Sequence, residues 1–128
     1  MSTDPRATVA ALIDAWNGAP LDGLRDLLTS DYRGHMLHLS GGARDAAAYP
    51  RAIEQFRATN PGTSFSIVEH VVAGDRAVMR LEARRDPDLS GDGRISRGIN
   101  ISRFDTEGRL AEEWAIWSPW LEDPQTGD

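Results

Sequence analysis

The 128-residue sequence contains no cysteine, which excludes disulfides, zinc–thiolate sites and a cysteine nucleophile. It also contains no lysine, so all 14 basic residues are arginines and Schiff-base chemistry through a lysine amine is excluded. No apolar run approaches the roughly 18 residues that a membrane-spanning helix needs. The opening segment MSTDPRATVAAL lacks the basic-then-apolar order of a signal peptide. We therefore expect a cytoplasmic protein that does not enter a membrane.

The sequence also lacks an excess of basic charge: 20 acidic residues outnumber the 14 arginines, and the formal net charge is −6. Because phosphate contacts need a basic surface, no nucleic acid partner is expected. The acidic segment DPDLSGDG at 86–93 has no downstream glutamate at calcium-loop spacing, and the three histidines show no HxxxH spacing. We expect no metal site. The length fits one domain over residues 1–128, with loose termini at about 1–5 and 121–128.

The order of predicted elements is helix, helix, strand, helix and then a run of antiparallel strands. Helical apolar spacing predicts a first helix over Arg6–Trp16, with a cap at Thr3 or Asp4. A second, short helix is predicted from Pro20 to Leu28, and a third from about Tyr49 to Thr59.

Period-two patterns predict strands over Tyr32–Leu39, Phe65–Val72 and Ala77–Arg85. Helices followed by a strand meander are typical of an α+β fold, with the helices on one face of a curved sheet.

The stretch from Arg94 to Trp120 is predicted to form a hairpin that turns at Asp105–Gly108. In the expected register Asn100 lies opposite Glu113, and Gly98 and Ser96 lie opposite Ala115 and Trp117. This face is small and polar, and we interpret it as the wall of a ligand cavity. The other face is strongly apolar and suits a partner such as a second subunit; it carries Ile99, Ile101, Trp114 and Ile116. A hairpin buried between a helix layer and the rest of the sheet would show the same pattern.

Three segments in this order resemble a known family: DAWNGAPLDGLRDLLTSDY, AYPRAIEQFRATNPGTSFSIVEHVVAGDRAVMRLEA and RGINISRFDTEGRLAEEWAIW. Together with His35, they are similar to the SnoaL-like polyketide cyclases of the nuclear transport factor 2-like, or ketosteroid isomerase-like, superfamily. The resemblance implies a cone-shaped α+β barrel, with three N-terminal helices packed on a strongly bent, mostly antiparallel sheet and a pocket at the wide end. It also implies a homodimer formed through the outer sheet face, and no cofactor.

The sequence departs from this family at the usual catalytic positions. The aspartate that SnoaL-like cyclases carry near the last-strand tryptophan corresponds to Ala115 or Ser118. The histidine expected after the third strand is absent from the segment RRDP. The aspartate base of the similar ketosteroid isomerases falls near Met36, and their tyrosine donor falls near Leu12.

Three residues are candidates for catalysis. Asn100 matches the isomerase aspartate that donates to an oxyanion, and an amide donates at any pH. Glu113 is expected across from Asn100, where burial would raise its pKa and suit general acid–base work. His35, on the first strand, is the alternative proton carrier. Each also has a purely structural alternative. Asn100 could hydrogen-bond to a neighbouring strand or to Glu113, His35 could be a buried hydrogen-bonded side chain, and Glu113 could pair with Arg97 or Arg109.

The predicted substrate-binding residues would form an apolar wall with a few polar groups, which suits a flat, ring-bearing ligand. They are Trp16, Met36, His38, Tyr49, Phe56, Met79, Leu81, Ser102, Ala115 and Trp117. Tyr32 and Tyr49 are expected to supply hydroxyls at the rim.

The resulting expectation is a small-molecule cyclase or isomerase that uses cofactor-free acid–base chemistry on a carbonyl-bearing polyketide-like or polycyclic substrate. A non-catalytic binding module, or a hydrolase or dehydratase using the same pocket, are the alternatives. The sequence leaves open whether the protein is an enzyme.

Overall fold

The computed structural model describes residues 4–124 and confirms an α+β architecture. The α-helices and strands are α1 Pro5–Trp16, β1 Leu28–Met36, α2 Ala48–Thr59, β2 Thr63–Ala73, β3 Arg76–Arg85, β4 Arg94–Phe104, β5 Leu110–Trp117 and β6 Leu121–Glu122. Short 3₁₀ turns cover Leu24–Leu27 and Pro87–Leu89.

Helix α1 begins where its capping signals predict. The Asp4 side chain accepts a hydrogen bond from the Arg6 backbone N–H at 2.8 Å, and Pro5 takes the first helical position. The buried side of α1 includes Val9 and Leu12. The buried Thr8 hydroxyl donates to the Gly108 carbonyl at 2.6 Å. This bond fixes the helix over the hairpin between β4 and β5.

The expected helix over Pro20–Leu28 is wrong. Only the 3₁₀ turn Leu24–Leu27 forms there, because Gly23 adopts a left-handed conformation (φ 77°) and Leu28 already begins β1. The described part of the chain therefore has two α-helices, one fewer than expected.

Strand β1 begins and ends earlier than the predicted Tyr32–Leu39. Leu28 already pairs with Leu110, and the strand ends at Met36. A turn follows, in which the Leu39 N–H donates to the Met36 carbonyl at 3.1 Å. His38 therefore lies in a turn.

The strands form one bent sheet in the order β1-β5-β4-β3-β2, and β6 pairs with the N-terminal end of β4. Strand β1 runs parallel to β5, whereas the other neighbouring strands are antiparallel. The core joins the helices to the inner face of the sheet, where Leu12 and Ile53 of the helices belong to one cluster with Leu81 and Phe104 of the strands. Both helices thus cover the same face of the sheet.

The hairpin between β4 and β5 has the predicted faces but a different register. Asn100 pairs with Ala115 and Gly98 pairs with Trp117, so both predicted partners are displaced by two residues, and Glu113 lies opposite Ser102. The turn contributes one residue, because Phe104 already pairs with Leu110 instead of Arg109, and an irregularity between Arg103 and Phe104 contributes the second. Because side chains alternate with period two, an even displacement leaves every side chain on its predicted face.

The C-terminal segment up to Asp123 is more ordered than expected. Leu121 and Glu122 pair with β4, and the buried carboxylate of Asp123 lies 2.8 Å from the Arg84 Nε. Pro5 likewise belongs to α1. The remaining residues of the expected loose termini, 1–3 and 125–128, lie outside the described residues.

No helix in the described range is long and apolar enough to cross a membrane.

Gly98 offers a test of the sheet packing. A Cβ atom at this position would lie 2.5 Å from Trp117 Cδ2 and 2.6 Å from Trp117 Cε2. We expect Gly98→Ala to lower the free energy of unfolding by about 1–3 kcal/mol, because the indole must move within a packed wall. Urea denaturation measures the change.

Gly42→Ala is the matched control, because a Cβ atom there meets nothing within 4 Å. Its stability should stay within about 0.5 kcal/mol of the original protein. Equal stability of Gly98→Ala and the original protein would contradict the described packing of Trp117.

Candidate functional site

A cavity of about 650 Å³ lies between the two helices and the inner face of the sheet. Its size falls in the range of sites that enclose drug-sized molecules. The walls are mainly apolar and aromatic, and polar side chains are concentrated where β4 and β5 meet. It exists because β4 and β5 present small inward residues, including Ser102 and Ala115.

The carboxylate of Glu113 is the centre of the polar part of the cavity. Glu113 is only 6% exposed. The Tyr32 hydroxyl donates to Glu113 Oε2 at 2.6 Å, and the Asn100 amide donates to Glu113 Oε1 at 2.8 Å. Arg44 Nη2 lies 3.6 Å from Oε2. A buried carboxylate requires such partners, since an unpaired charge is very unfavourable away from water.

The orientation of the Asn100 amide follows from its neighbours. Ser102 Oγ donates to Asn100 Oδ1 at 2.6 Å, and an ionised carboxylate only accepts hydrogen bonds, so the amide nitrogen faces Glu113. The contact between Asn100 and Glu113 is diagonal across the strand pair. The second Asn100 N–H has no acceptor among residues 4–124.

Arg44 enters the site from the loop before α2. Its backbone is held by a two-way bridge with Gly34, with N···O distances of 2.8 and 2.9 Å. The guanidinium lies 4.5 Å above the centroid of the Tyr49 ring, and Nη2 donates to the Tyr32 hydroxyl at 3.1 Å. Burial lowers the pKa of Arg44, but the nearby Tyr32 and Glu113 outweigh it and raise the pKa. Arg44 is therefore a fixed cation.

Both tyrosines are held in the neutral, proton-donating form. Burial, followed by the charge of Glu113, raises the pKa of Tyr32 and of Tyr49 well above 10.0. The Tyr49 oxygen accepts a hydrogen bond from Trp16 Nε1 at 2.9 Å. Tyr49 thus has an anchored ring and a hydroxyl at the cavity wall.

The cavity brings together nearly all of the predicted site residues. Asn100 and Glu113 line it, as do all ten predicted substrate-binding residues: Trp16, Met36, His38, Tyr49, Phe56, Met79, Leu81, Ser102, Ala115 and Trp117. His38 lies in the turn after β1, where its Nδ1 accepts from the Trp117 N–H at 3.3 Å.

The expectation that His35 faces the cavity is wrong. His35 is directed to the outer face, because Tyr32, Gly34 and Met36 take the inward positions of β1. Its Nε2 lies 2.8 Å from Glu112 Oε2, and its ring stacks on Trp114 with a centroid distance of 5.6 Å. His35 therefore cannot exchange a proton with a ligand in the cavity.

Sequence reasoning missed Arg44 and underrated Tyr32. Arg44 lies in a loop without periodic pattern, and nothing in the sequence marks it. The sequence predicts Tyr32 only at the rim of the cavity. A signal for its inward position was present, because it shares strand parity with Met36, a predicted cavity residue. No group of three or more His, Asp or Glu residues that could hold a metal ion occurs between residues 4 and 124.

The comparison with protein families identifies the class. Residues 9–113 match the SnoaL-like domain, so the chain belongs to the SnoaL-like family. Wild-type IdmH, a proposed polyketide cyclase from Streptomyces antibioticus, is a structural relative with 26% identity and a TM-score of 0.76, over 91% of this chain and 93% of IdmH.

Two more distant structures share the fold. A proposed ketosteroid isomerase from Kribbella flavida is 17% identical with a TM-score of 0.73, over 94% of this chain and 82% of its own. An NTF2-like protein from Mesorhizobium loti is 22% identical with a TM-score of 0.70, over 93% of this chain and 98% of its own. These likenesses confirm the cone-shaped fold. No functionally curated protein matches the chain significantly.

The two tyrosines provide a spectroscopic test of the site, because the sequence has no others. In the folded protein we expect no tyrosinate absorbance at 295 nm up to about pH 11, since both pKa values are raised. In urea, both should ionise near pH 10. Because the folded state holds these protons more tightly, stability is retained below pH 10 and falls as the pH rises above it.

Circular dichroism at each pH serves as the control for folding. A rise in tyrosinate absorbance near pH 10 with an unchanged circular dichroism spectrum would contradict the burial of Tyr32 and Tyr49 beside Glu113.

Proposed function

We propose that this protein is a cofactor-free cyclase or isomerase that acts on a carbonyl-bearing polyketide-like or polycyclic substrate. The observation that carries the proposal is the buried, oriented carboxylate of Glu113 in an otherwise largely apolar cavity. Membership of the SnoaL-like family and the likeness to IdmH support the same class. The cytoplasmic location expected from the sequence stays a prediction.

Glu113 would act as the general base. Its Oε2 accepts from Tyr32 and lies near Arg44, whereas Oε1 accepts only from Asn100 among the described residues. Oε1 thus keeps a lone pair for a proton on the carbon alpha to a substrate carbonyl. The hydrogen bonds on both oxygens hold the carboxylate in one orientation, which favours proton transfer to a bound substrate.

The charges in the cavity suit an enolate intermediate. Proton removal transfers one negative charge from Glu113 to the substrate oxygen, so the total charge beside Arg44 does not change. The second Asn100 N–H is a donor available to that oxygen. The enolate carbon then attacks an internal carbonyl carbon, and the alkoxide so formed takes up a proton. In an isomerisation, a conjugated enolate is instead protonated at another carbon of its conjugated system. In either case Glu113 returns the proton it took.

A non-catalytic binding module is the second candidate. The observation that favours it is that Tyr32, Asn100 and Arg44 already compensate the Glu113 carboxylate without a ligand. The same polar group could contact a bound molecule without reacting with it. A test of the function must therefore separate turnover from binding.

We also propose that the protein works as a homodimer through the outer sheet face. Ile99, Ile101 and Ile116 are 45%, 42% and 49% exposed, and cross-strand pairing joins Ile101 to Val78 and Trp114. Charged side chains around this patch already pair within the chain, as in the contacts Arg80–Glu69, Arg97–Glu82 and Arg103–Glu112. An apolar centre with a neutralised rim suits a second copy of the same surface.

Exchange of the substrate's alpha protons for deuterium tests Glu113 as the proposed base. The protein is incubated in D₂O with polycyclic ketones such as 1-tetralone, and deuterium gain alpha to the carbonyl is followed by NMR. We expect acceleration above background, and Glu113→Gln should reduce it by about 100- to 10,000-fold. Ligand affinity should change much less, because glutamine keeps the shape of the side chain.

Glu112→Gln is the matched control, since Glu112 neighbours Glu113 but contacts His35 and Arg103 on the outer face. It should leave exchange unchanged. Tight ketone binding without exchange in any variant would favour the binding module. Products that gain or lose water would instead point to a hydrolase or dehydratase.

The oligomeric state tests the proposed interface. Light scattering after size exclusion should give twice the chain mass, and Ile101→Glu should give a monomer because a carboxylate would be buried in the apolar centre. Leu89→Glu is the control, as Leu89 is 64% exposed in the loop before β4. A monomeric original protein would refute the interface.

A further inference from the structure

Arg44 has hydrogen-bond donors that the protein does not use. A guanidinium carries five N–H groups on three nitrogens. Nη2 donates to Tyr32, while the buried Nε has no partner and Nη1 has no acceptor among residues 4–124. Buried donors without acceptors are rare in folded proteins and call for an explanation. Nε is itself enclosed by the protein, so Nη1 is the group that can reach an acceptor supplied by a ligand in the cavity.

The ion pair between Arg44 and Glu113 does not consume these donors. The separation of 3.6 Å exceeds hydrogen-bond range, and the carboxylate receives its hydrogen bonds from Tyr32 and Asn100 instead. The Nη1 donors of the guanidinium therefore remain available for another anion. Arg44 side-chain exposure of 15% means that such a bond would form largely away from water, where it is stronger.

Tyr49 places a second donor beside the guanidinium. Its oxygen accepts from Trp16, and its own proton has no acceptor among the described residues. Its ring lies under the Arg44 guanidinium at 4.5 Å, so the two groups are held together by a cation–π contact. Two neighbouring donors, one of them cationic, match a group that is anionic and only accepts hydrogen bonds.

We propose that the substrate carries a carboxylate and that Arg44 and Tyr49 bind it at the cavity wall. The substrate class is then a polycyclic or polyketide-like keto acid, whose carbonyl meets Glu113 and Asn100 while its carboxylate is bound by Arg44. The inference rests on the proposed function for the role of Glu113, but anion binding can be tested alone.

The test compares two probes of the same shape, anthraquinone-2-carboxylate and anthraquinone-2-carboxamide, by isothermal titration calorimetry at neutral pH. Neither has a proton alpha to its ring carbonyls, so the result does not depend on whether Glu113 is a base. The original protein should bind the carboxylate at least roughly tenfold more tightly, as expected for a charge-assisted hydrogen bond. Arg44→Gln should remove that preference while keeping the affinity for the carboxamide.

Tyr49→Phe is the second variant, because it removes one donor and keeps the ring under the guanidinium. It should weaken the carboxylate severalfold and the carboxamide less, even if Arg44→Gln does not fold. Arg51→Gln is the control, since Arg51 is exposed on α2, and it should change neither affinity. Equal affinities of the original protein for the two probes, equal weakening of both by Arg44→Gln, or no binding of either would overturn the proposal.

Discussion

The buried carboxylate of Glu113 is the constraint on which the rest of the site depends. A charge away from water is tolerated only with several partners, and here they come from separate parts of the chain. Tyr32 is on β1, Asn100 on β4 and Arg44 in the loop before α2. The strand order β1-β5-β4 makes this possible, because it places β5 between the two strands that supply donors.

The same sheet separates two kinds of chemistry by strand parity. The central inward positions of β4 and β5 carry small or polar residues such as Ser102 and Ala115, which leave space for the cavity. The exposed outward positions include Ile99, Ile101 and Ile116. Glu112 and Glu113 illustrate the consequence, since adjacent carboxylates have different surroundings. One pairs with His35 and Arg103 on the outer face, and the other is buried against Tyr32 and Asn100.

Period-two and helical patterns predicted most of the fold and the cavity walls, since an even register displacement preserved the faces of the hairpin. The short helix at Pro20–Leu28 failed because leucine spacing does not report the left-handed Gly23. His35 failed because it and Tyr32 differ by an odd number of residues on one strand, so both cannot face the cavity. Arg44 lies in a loop, where tertiary contacts alone define its role.

In the proposed function, Glu113 takes the acid–base role for which similar cyclases use an aspartate. The aspartate of those cyclases corresponds to Ala115 or Ser118, and both line the same cavity. Ala115, the nearer of the two, lies two residues beyond Glu113 on β5. Two residues of strand span roughly 7 Å, so the carboxylate enters the cavity about one pleat repeat away. In the proposed function, the substrate presents its acidic carbon at that displaced point. The shared fold thus supplies the cavity, and under the proposed function the placement of one carboxylate selects the substrate orientation.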